Sequence, residues 1–319
     1  MGPPDQTNQP AYLNTPYPAA HDDYHTHLGG STPLSLVQRF ASASDTDTLG
    51  HISARLRRGA SLTEFLEDWF PIMERMQGDL DFLEASASAA AAASPAHHFE
   101  LRFCPFLRAA PVGDQIQRVM KGVWNGSSGK RGRTWGLTLI AMRGNFGHLQ
   151  ALEEHLGSCS GIDVAGNENG AETDPRWVYA VARLFEKAKA CGVSTTYHTG
   201  EGALADTLAI LTALPLDRIG HGVSLRRMER LPPRLPVLEL CPSVNEITGV
   251  APFQDVVDFA ARLHREGHRF VFGSDNPVIT GVDSAQQWQR LPEYLQRAAR
   301  ESSSHLHLNF PLNSFPFSP

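Results

Sequence analysis

The sequence predicts a (β/α)8 barrel. Three observations carry that expectation. Eight short strand-like runs alternate with helical patterns from residue 23 onward. The 319-residue length and 41% apolar content suit one large α/β core. Histidines and carboxylates stand at the ends of several runs, where a barrel places its reactive side chains.

In chain order the strand candidates are Asp23–Leu28, Phe99–Phe103, Trp135–Met142, Gly161–Ala165, Val193–His198, Arg218–Gly222, Pro236–Leu240 and Phe270–Ser274. Helical patterns lie between them, over Asp114–Val123 and His148–His155 among others. Arg176–Lys189 places Val178, Val181, Ala182, Phe185 and Ala188 on one face, and Phe253–His264 does the same with Val256, Val257, Phe259, Ala260 and Leu263. An open doubly wound sheet is the alternative, but no G-x-G-x-x-G follows any strand. Residues 1–20, rich in Pro, Gln and Asn, read as a flexible N-terminal arm. Residues 21–319 read as a single barrel domain. The Ala/Ser run 85–95 fits either a helix end or a connector, and its alanines favour helix.

Composition removes several function classes. A formal charge of -6 argues against nucleic-acid binding, and the one basic cluster, Lys130, Arg131 and Arg133 among glycines, reads as a solvated loop. The four cysteines, Cys104, Cys159, Cys191 and Cys241, form no C-x-x-C pair, so neither a disulfide scaffold nor a cysteine-rich zinc site is indicated. No apolar run reaches the ~20 residues of a membrane span. The first basic residue is Arg39, so a charged leader is not expected, and the expected location is the cytoplasm. Histidine, at 14 residues, is about twice ordinary usage.

The strand ends concentrate the chemistry. The first ends in His25-Thr26-His27, and residues two apart on a strand point the same way, so both imidazoles can reach one ion. Alone, that pattern arises often by chance. The fifth strand ends at His198, with Glu201 just beyond; a carboxyl in a closed pocket has its pKa raised and can deliver a proton, although a glutamate opening a helix also suits the macrodipole. The sixth ends in Gly220-His221-Gly222, which fits a turn as well as a site. The eighth is followed by Asp275, either a carboxylate ligand or a helix N-cap. Four strand ends presenting such residues together outweigh the separate bland readings. Three histidines and an aspartate make a zinc set with one position left for water, whose pKa such a metal lowers to about 7. Two other patterns are set aside as packing or surface residues. His98-Phe99-Glu100 lacks the P-C-x-x-C partner of the small zinc deaminases, and His264/His268 lack the glutamate of zinc proteases, with Arg265 in its place.

With these residues in place, the chain resembles the adenosine/AMP deaminase family of metal-dependent amidohydrolases. The matching segments stand in the family's order: HTHLGGS (25–31), ELRFCP (100–105), GLTLIAMR (136–143), GIDVAGNE (161–168), YHTGE (197–201), RIGHGV (218–223), ELCPSVNEITG (239–249), GSDNP (273–277) and a closing N-x4-S-F from Asn309 to Phe315. The resemblance implies one Zn2+ per chain, held by His25, His27, His198 and Asp275. It implies that Glu201 protonates the ring nitrogen beside the attacked carbon, and that His221, helped by Asp275, orients the zinc-bound hydroxide. Gly166 would offer its backbone to a purine, and Leu62 and Phe65 would belong to an apolar lid helix. The implied reaction is hydrolytic deamination of adenosine or a similar small molecule with an exocyclic amino group, with loss of ammonia.

Two departures lie where substrate is read. Asn276 stands where the family has a second aspartate against the purine's five-membered ring; its amide still donates but cannot ionise. Gly29 stands where an acidic residue usually meets the sugar, which opens space there. Asp22 and Asp23 replace a lysine common before the first strand. A divergent amidohydrolase acting on a modified or non-purine ring is therefore the second reading, and a non-catalytic metal-binding protein the third.

Overall fold

The computed structural model describes residues 21–40, 67, 71, 73, 76, 78–108, 110–128, 130, 132–168, 170–304 and 306. The expected arm, the lid residues Leu62 and Phe65, and the closing Asn309–Phe315 motif lie outside them.

Eight strands form one parallel sheet in sequence order: β1 (Asp22–His27), β2 (His98–Phe103), β3 (Thr134–Met142), β4 (Gly161–Ala165), β5 (Ser194–Thr199), β6 (Arg218–His221), β7 (Val237–Leu240) and β8 (Phe270–Phe272). β8 returns to β1 through a parallel bridge between Thr26 and Asp275. There the His27 N–H donates to the Asp275 carbonyl at 2.8 Å, and the Asp275 N–H donates to that of His25 at 2.6 Å. Asp23 reinforces the seam, accepting from the Ser274 N–H at 3.1 Å and its hydroxyl at 2.6 Å. The seam needs Gly273, because a Cβ there would lie 2.3 Å from that of His25. This is the expected (β/α)8 barrel. Each anticipated strand is present, with ends displaced by a residue or two.

Period-2 alternation divides each strand between two environments. Outward residues such as Phe99, Leu101, Leu137, Leu139, Ile162 and Val164 pack under the surrounding helices. Inward residues are unusually polar: Glu100, Arg102, Asp163, Arg218 and Glu239 are all essentially fully buried. Barrels usually fill this volume with branched aliphatics. Here an ionic lattice fills it, and the strand ends above inherit its order.

The Ala/Ser run is helix, spanning Leu80–Ala93 after an Asp79 cap that accepts from the Asp81 and Phe82 N–H groups. Its small residues allow backbone-close packing on the helix Val112–Ser127. A Cβ on Gly122 would lie 2.3 Å from the Glu84 carbonyl, and one on Gly126 2.1 Å from that of Ser88. The basic cluster departs from the solvated loop expected of it. Arg133 donates to the Ala91 carbonyl at 2.7 Å and Lys130 to the Ala91 and Ala92 carbonyls, so cations close the exposed C-terminal end of this helix. Arg131 lies outside the described residues. Among the described residues no helix is long and apolar enough to cross a membrane.

Candidate active site

At the C-terminal mouth of the barrel three imidazoles converge. His25 Nε2 lies 3.2 Å from His27 Nε2 and 3.0 Å from His198 Nε2, and the last two are 3.1 Å apart. Gly220 makes room, since a Cβ there would lie 3.1 Å from both the His25 and His198 rings. The other nitrogens of two rings are committed. His25 Nδ1 meets Glu239 Oε2 at 2.9 Å, and His198 Nδ1 meets Asp163 Oδ1 at 3.0 Å. A carboxylate can only accept, so each of these imidazoles carries its proton on Nδ1 and turns a lone pair inward.

Burial, joined by Arg102 and the neighbouring histidines, holds His25 and His27 well below the ordinary imidazole range; burial also lowers His198 against the pull of Asp163. Three neutral rings facing one another with lone pairs repel unless a cation sits between them. The donor set, neutral nitrogens with carboxylate-fixed tautomers, is the one a transition-metal cation takes, and the residues present fit a metal cofactor. Asp275 approaches the same point, with Oδ1 3.4 Å from His27 Nε2 and 4.0 Å from His25 Nε2. Burial and the charge of Glu201 push its carboxyl well up, so the pocket favours a cation beside it.

Cys241 Sγ groups instead with His25, His221 and Asp275. Burial pushes the thiol up, and it donates to the Glu239 carbonyl at 3.7 Å.

His221 and Glu201 face the histidines from the other side. Asn245 Nδ2 donates to His221 Nδ1 at 3.2 Å, which leaves the ring proton on Nε2. That nitrogen looks at Glu201 Oε2 and Asp275 Oδ2, each at 3.7 Å. Burial raises Glu201, opposed by His198 and Arg143, and lowers His221 to about 4. Neither Glu201 nor Asp275 takes up the helix-end role open to it. The helix after Glu201 begins at Leu204, and the N-cap of the helix Pro277–Thr280 is Asn276, without a side-chain bond. His221 and Asp275 share a second mark. They are the non-glycine residues with positive φ among those described, at 63° and 59°. Such backbone costs about 1–3 kcal/mol per residue and persists where the surroundings enforce it.

A cavity of about 700 Å3 opens over this centre. Gly29, Gly166, Glu201, His221, Asp275 and Asn276 line it, with apolar walls from Leu28, Met73, Phe103, Ile140 and Met142. Gly166 has φ +109°, and a Cβ there would lie 2.9 Å from the Met142 methyl, so bare backbone faces the cavity. Asn276 packs on Gly30 and donates an amide hydrogen to Asp275 Oδ1.

Beneath the histidines lies a layer that sequence reading missed. The Arg102 guanidinium sits between Asp163 and Glu239, 2.5 Å from each, and also donates to the Tyr24 carbonyl at 3.0 Å. Arg218 pairs with Glu100 at 2.7 Å and Glu239 at 2.9 Å. Three carboxylates share two cations. Burial pushes Glu239 up to about 7, whereas His198 and Arg102 overcome burial to hold Asp163 below the usual carboxylate range. His98 and Glu100, set aside as packing residues, are structural: His98 Nδ1 meets the Thr134 hydroxyl at 2.8 Å. The alternation of His98, Glu100 and Arg102 on one inward file was the available signal.

The buried neutral histidines set an acid limit on stability. His21 and His221 are both lowered to about 4 by burial, against 6.5 unfolded. Between those values the unfolded chain binds protons that the folded chain does not. The part of the unfolding free energy due to these two groups is therefore expected to fall as pH drops from 6.5 toward 4, by roughly 1 kcal/mol per pH unit for each, while Glu239, raised to about 7, contributes with the opposite sign down to about 4.5. Chemical denaturation of metal-free protein at stepped pH checks this.

A family model described as adenosine deaminase matches residues 20–306. The chain belongs to the adenosine deaminase family. It is a hydrolase of carbon–nitrogen bonds. An adenosine deaminase of Yersinia pseudotuberculosis is 28% identical over 294 residues, covering 83% of this chain and 84% of that one. Among solved structures, an adenine deaminase from Arthrobacter aurescens superposes with a TM-score of 0.74 at 18% identity, over 93% of this chain and 95% of that chain. An amidohydrolase from Burkholderia ambifaria, crystallised with bound zinc, gives 0.66 at 18%, over 85% and 79%. At these identities the two structures report the shared barrel.

Proposed function

We propose that this family member is a zinc-dependent aminohydrolase that deaminates adenosine or an adenosine-like purine, releasing ammonia. The observation that carries the reading is the opposition of Glu201 and His221 to three converged neutral imidazoles across one cavity. His25, His27, His198 and Asp275 would hold the ion. A zinc ion bound there would supply a hydroxide nucleophile at neutral pH. The bound zinc of the Burkholderia amidohydrolase supports the choice of metal.

The chain's own residues do the rest. His221 donates from Nε2 and holds the attacking water on the Asp275 side. Asp275, ionised beside the cation, would take up the proton that water loses. Glu201, whose carboxyl burial raises against the pull of His198 and Arg143, delivers a proton to the ring nitrogen beside the attacked carbon and draws charge away from it. Gly166 offers backbone to the purine edge. The apolar walls exclude water and strengthen each of these contacts.

Gly29 and Asn276, the departures from the family pattern that line the cavity, support a divergence at the sugar and five-membered ring rather than at the reacting carbon. The relatives span the same range, an adenosine deaminase in one case and an adenine deaminase in another. Ammonia release across purine nucleosides, nucleotides, free bases and base analogues, on protein of measured zinc content, tests the reading. Release from no purine overturns it, and release only from a non-purine ring favours the divergent amidohydrolase. Asn276→Asp is expected to raise kcat/KM for adenosine relative to the other purines by about tenfold, the worth of one hydrogen bond to a charged group. An unchanged profile removes Asn276 from substrate selection.

A further inference from the structure

We propose that Glu168, at the end of β4, is a positioning residue that fixes the loop carrying Glu201. The proposal rests on reading Glu201 as the proton donor. Its warrant is a carboxylate laid along consecutive backbone amides. Glu168 Oε1 accepts from the Glu201 N–H at 3.0 Å, and Oε2 accepts from the Gly202 N–H at 3.0 Å. The Gly200 N–H bonds the same carboxyl.

The loop is built for that approach. A Cβ on Gly202 would lie 2.4 Å from Glu168 Oε2. Gly200 has φ +90°, and a Cβ there would lie 2.8 Å from Gly222 Cα. Glycines on both sides of Glu201 thus let the backbone press against Glu168 on one side and the end of β6 on the other.

Two comparisons show why this anchor matters. Among the described residues the Glu201 side chain has only long contacts of its own, 3.5 Å to Asn245 Nδ2 and 3.7 Å to His221 Nε2. The charge-assisted bonds to its backbone are shorter and are the stronger kind. Nor does the following helix anchor the loop, since Leu204–Ala213 has Ala203 at its N-cap and no side-chain cap bond. Arg143 holds the Glu168 loop two residues earlier: it donates to the Gly166 carbonyl at 3.0 Å, pairs with Glu172 at 2.8 Å and also donates to the His198 carbonyl, and its charge favours the ionised Glu168. The residue after β3 thus braces the β4 end from which Glu168 reaches the Glu201 loop, separate from the carboxylates that orient the histidines. A misplacement of about 1 Å at a reacting group can cost on the order of a hundredfold in rate.

The test uses the full-length zinc-loaded enzyme and the variants Glu168→Ala and Glu168→Gln, each alone and combined with Glu201→Gln. Amide hydrogen exchange over residues 200–202 is expected to quicken in Glu168→Ala. With the best purine substrate, kcat is expected to fall about ten- to a hundredfold, with KM within about threefold and zinc content unchanged. In the Glu201→Gln background the second substitution is expected to cost almost nothing further, because both act on one proton transfer. Glu168→Gln keeps one accepting oxygen and is expected to fall between; being isosteric, it carries the comparison if the alanine variant folds poorly. Unchanged exchange, an unchanged kcat, or an equal loss in both backgrounds overturns the proposal. If wild type releases ammonia from no purine, it is the functional reading that fails, and the exchange result still decides whether Glu168 holds the loop.

Discussion

Glu201→Gln is expected to lower kcat by about 10²- to 10⁴-fold while zinc content and fold stay as in wild type. Glutamine keeps the shape and can still meet Asn245 and His221, but it cannot cycle a proton. The physical basis is the acid's surroundings. Its side chain is 14% exposed and lines the cavity, and burial raises its pKa against the opposing pull of His198 and Arg143. A carboxyl raised in this way keeps its proton to higher pH than an ordinary glutamate. The wild-type rate is therefore expected to fall as pH rises through that raised value, and this limb should vanish in the variant. Ammonia release over a pH series, with metal content measured on the same samples, decides the matter. A wild-type rate in Glu201→Gln would remove the acid assignment.

Arg102→Met is expected to destabilise the metal-free fold by about 3–5 kcal/mol and to weaken zinc binding about 10- to 100-fold. Methionine fills much of the volume, so the loss is electrostatic. Without the guanidinium, Asp163 and Glu239 are left buried near one another with Arg218 as their remaining cation, and one of them must take up a proton. A protonated carboxyl can no longer hold its histidine's Nδ1 proton as a charged acceptor. His25 or His198 then turns or changes tautomer, and its Nε2 lone pair is lost from the centre. Denaturant unfolding without metal and chelator competition for zinc read the two effects separately. Lowered stability with unchanged zinc affinity would show that the ionic lattice supports the barrel but does not aim the histidines.

Much of this was legible in the sequence, and for identifiable reasons. The helices Pro175–Ala190 and Phe253–Arg265 show their apolar faces at helical spacing, and the strands show themselves as short runs between turn signals. His25 and His27 announce a shared direction because strand geometry fixes the relation of i to i+2. The run 85–95 left helix end and connector both open although its alanines favour helix, and its fit against Gly122 and Gly126 shows the helix. Lys130 and Arg133 look like any solvated basic loop until the carbonyls they close are brought near.

The sequence by itself determined the barrel, the strand ends that carry histidine and carboxylate, and the family. These follow from local periodicity and from motifs in order along the chain, which need no knowledge of distant contacts. Only the tertiary structure decided how the site is held: Arg102 between Asp163 and Glu239, Asn245 setting the tautomer of His221, and Glu168 along the backbone of the Glu201 loop. Each joins residues on different strands or loops, 24 or more positions apart in sequence. Their meaning is electrostatic, and a charge has no partner until the barrel closes and removes it from water.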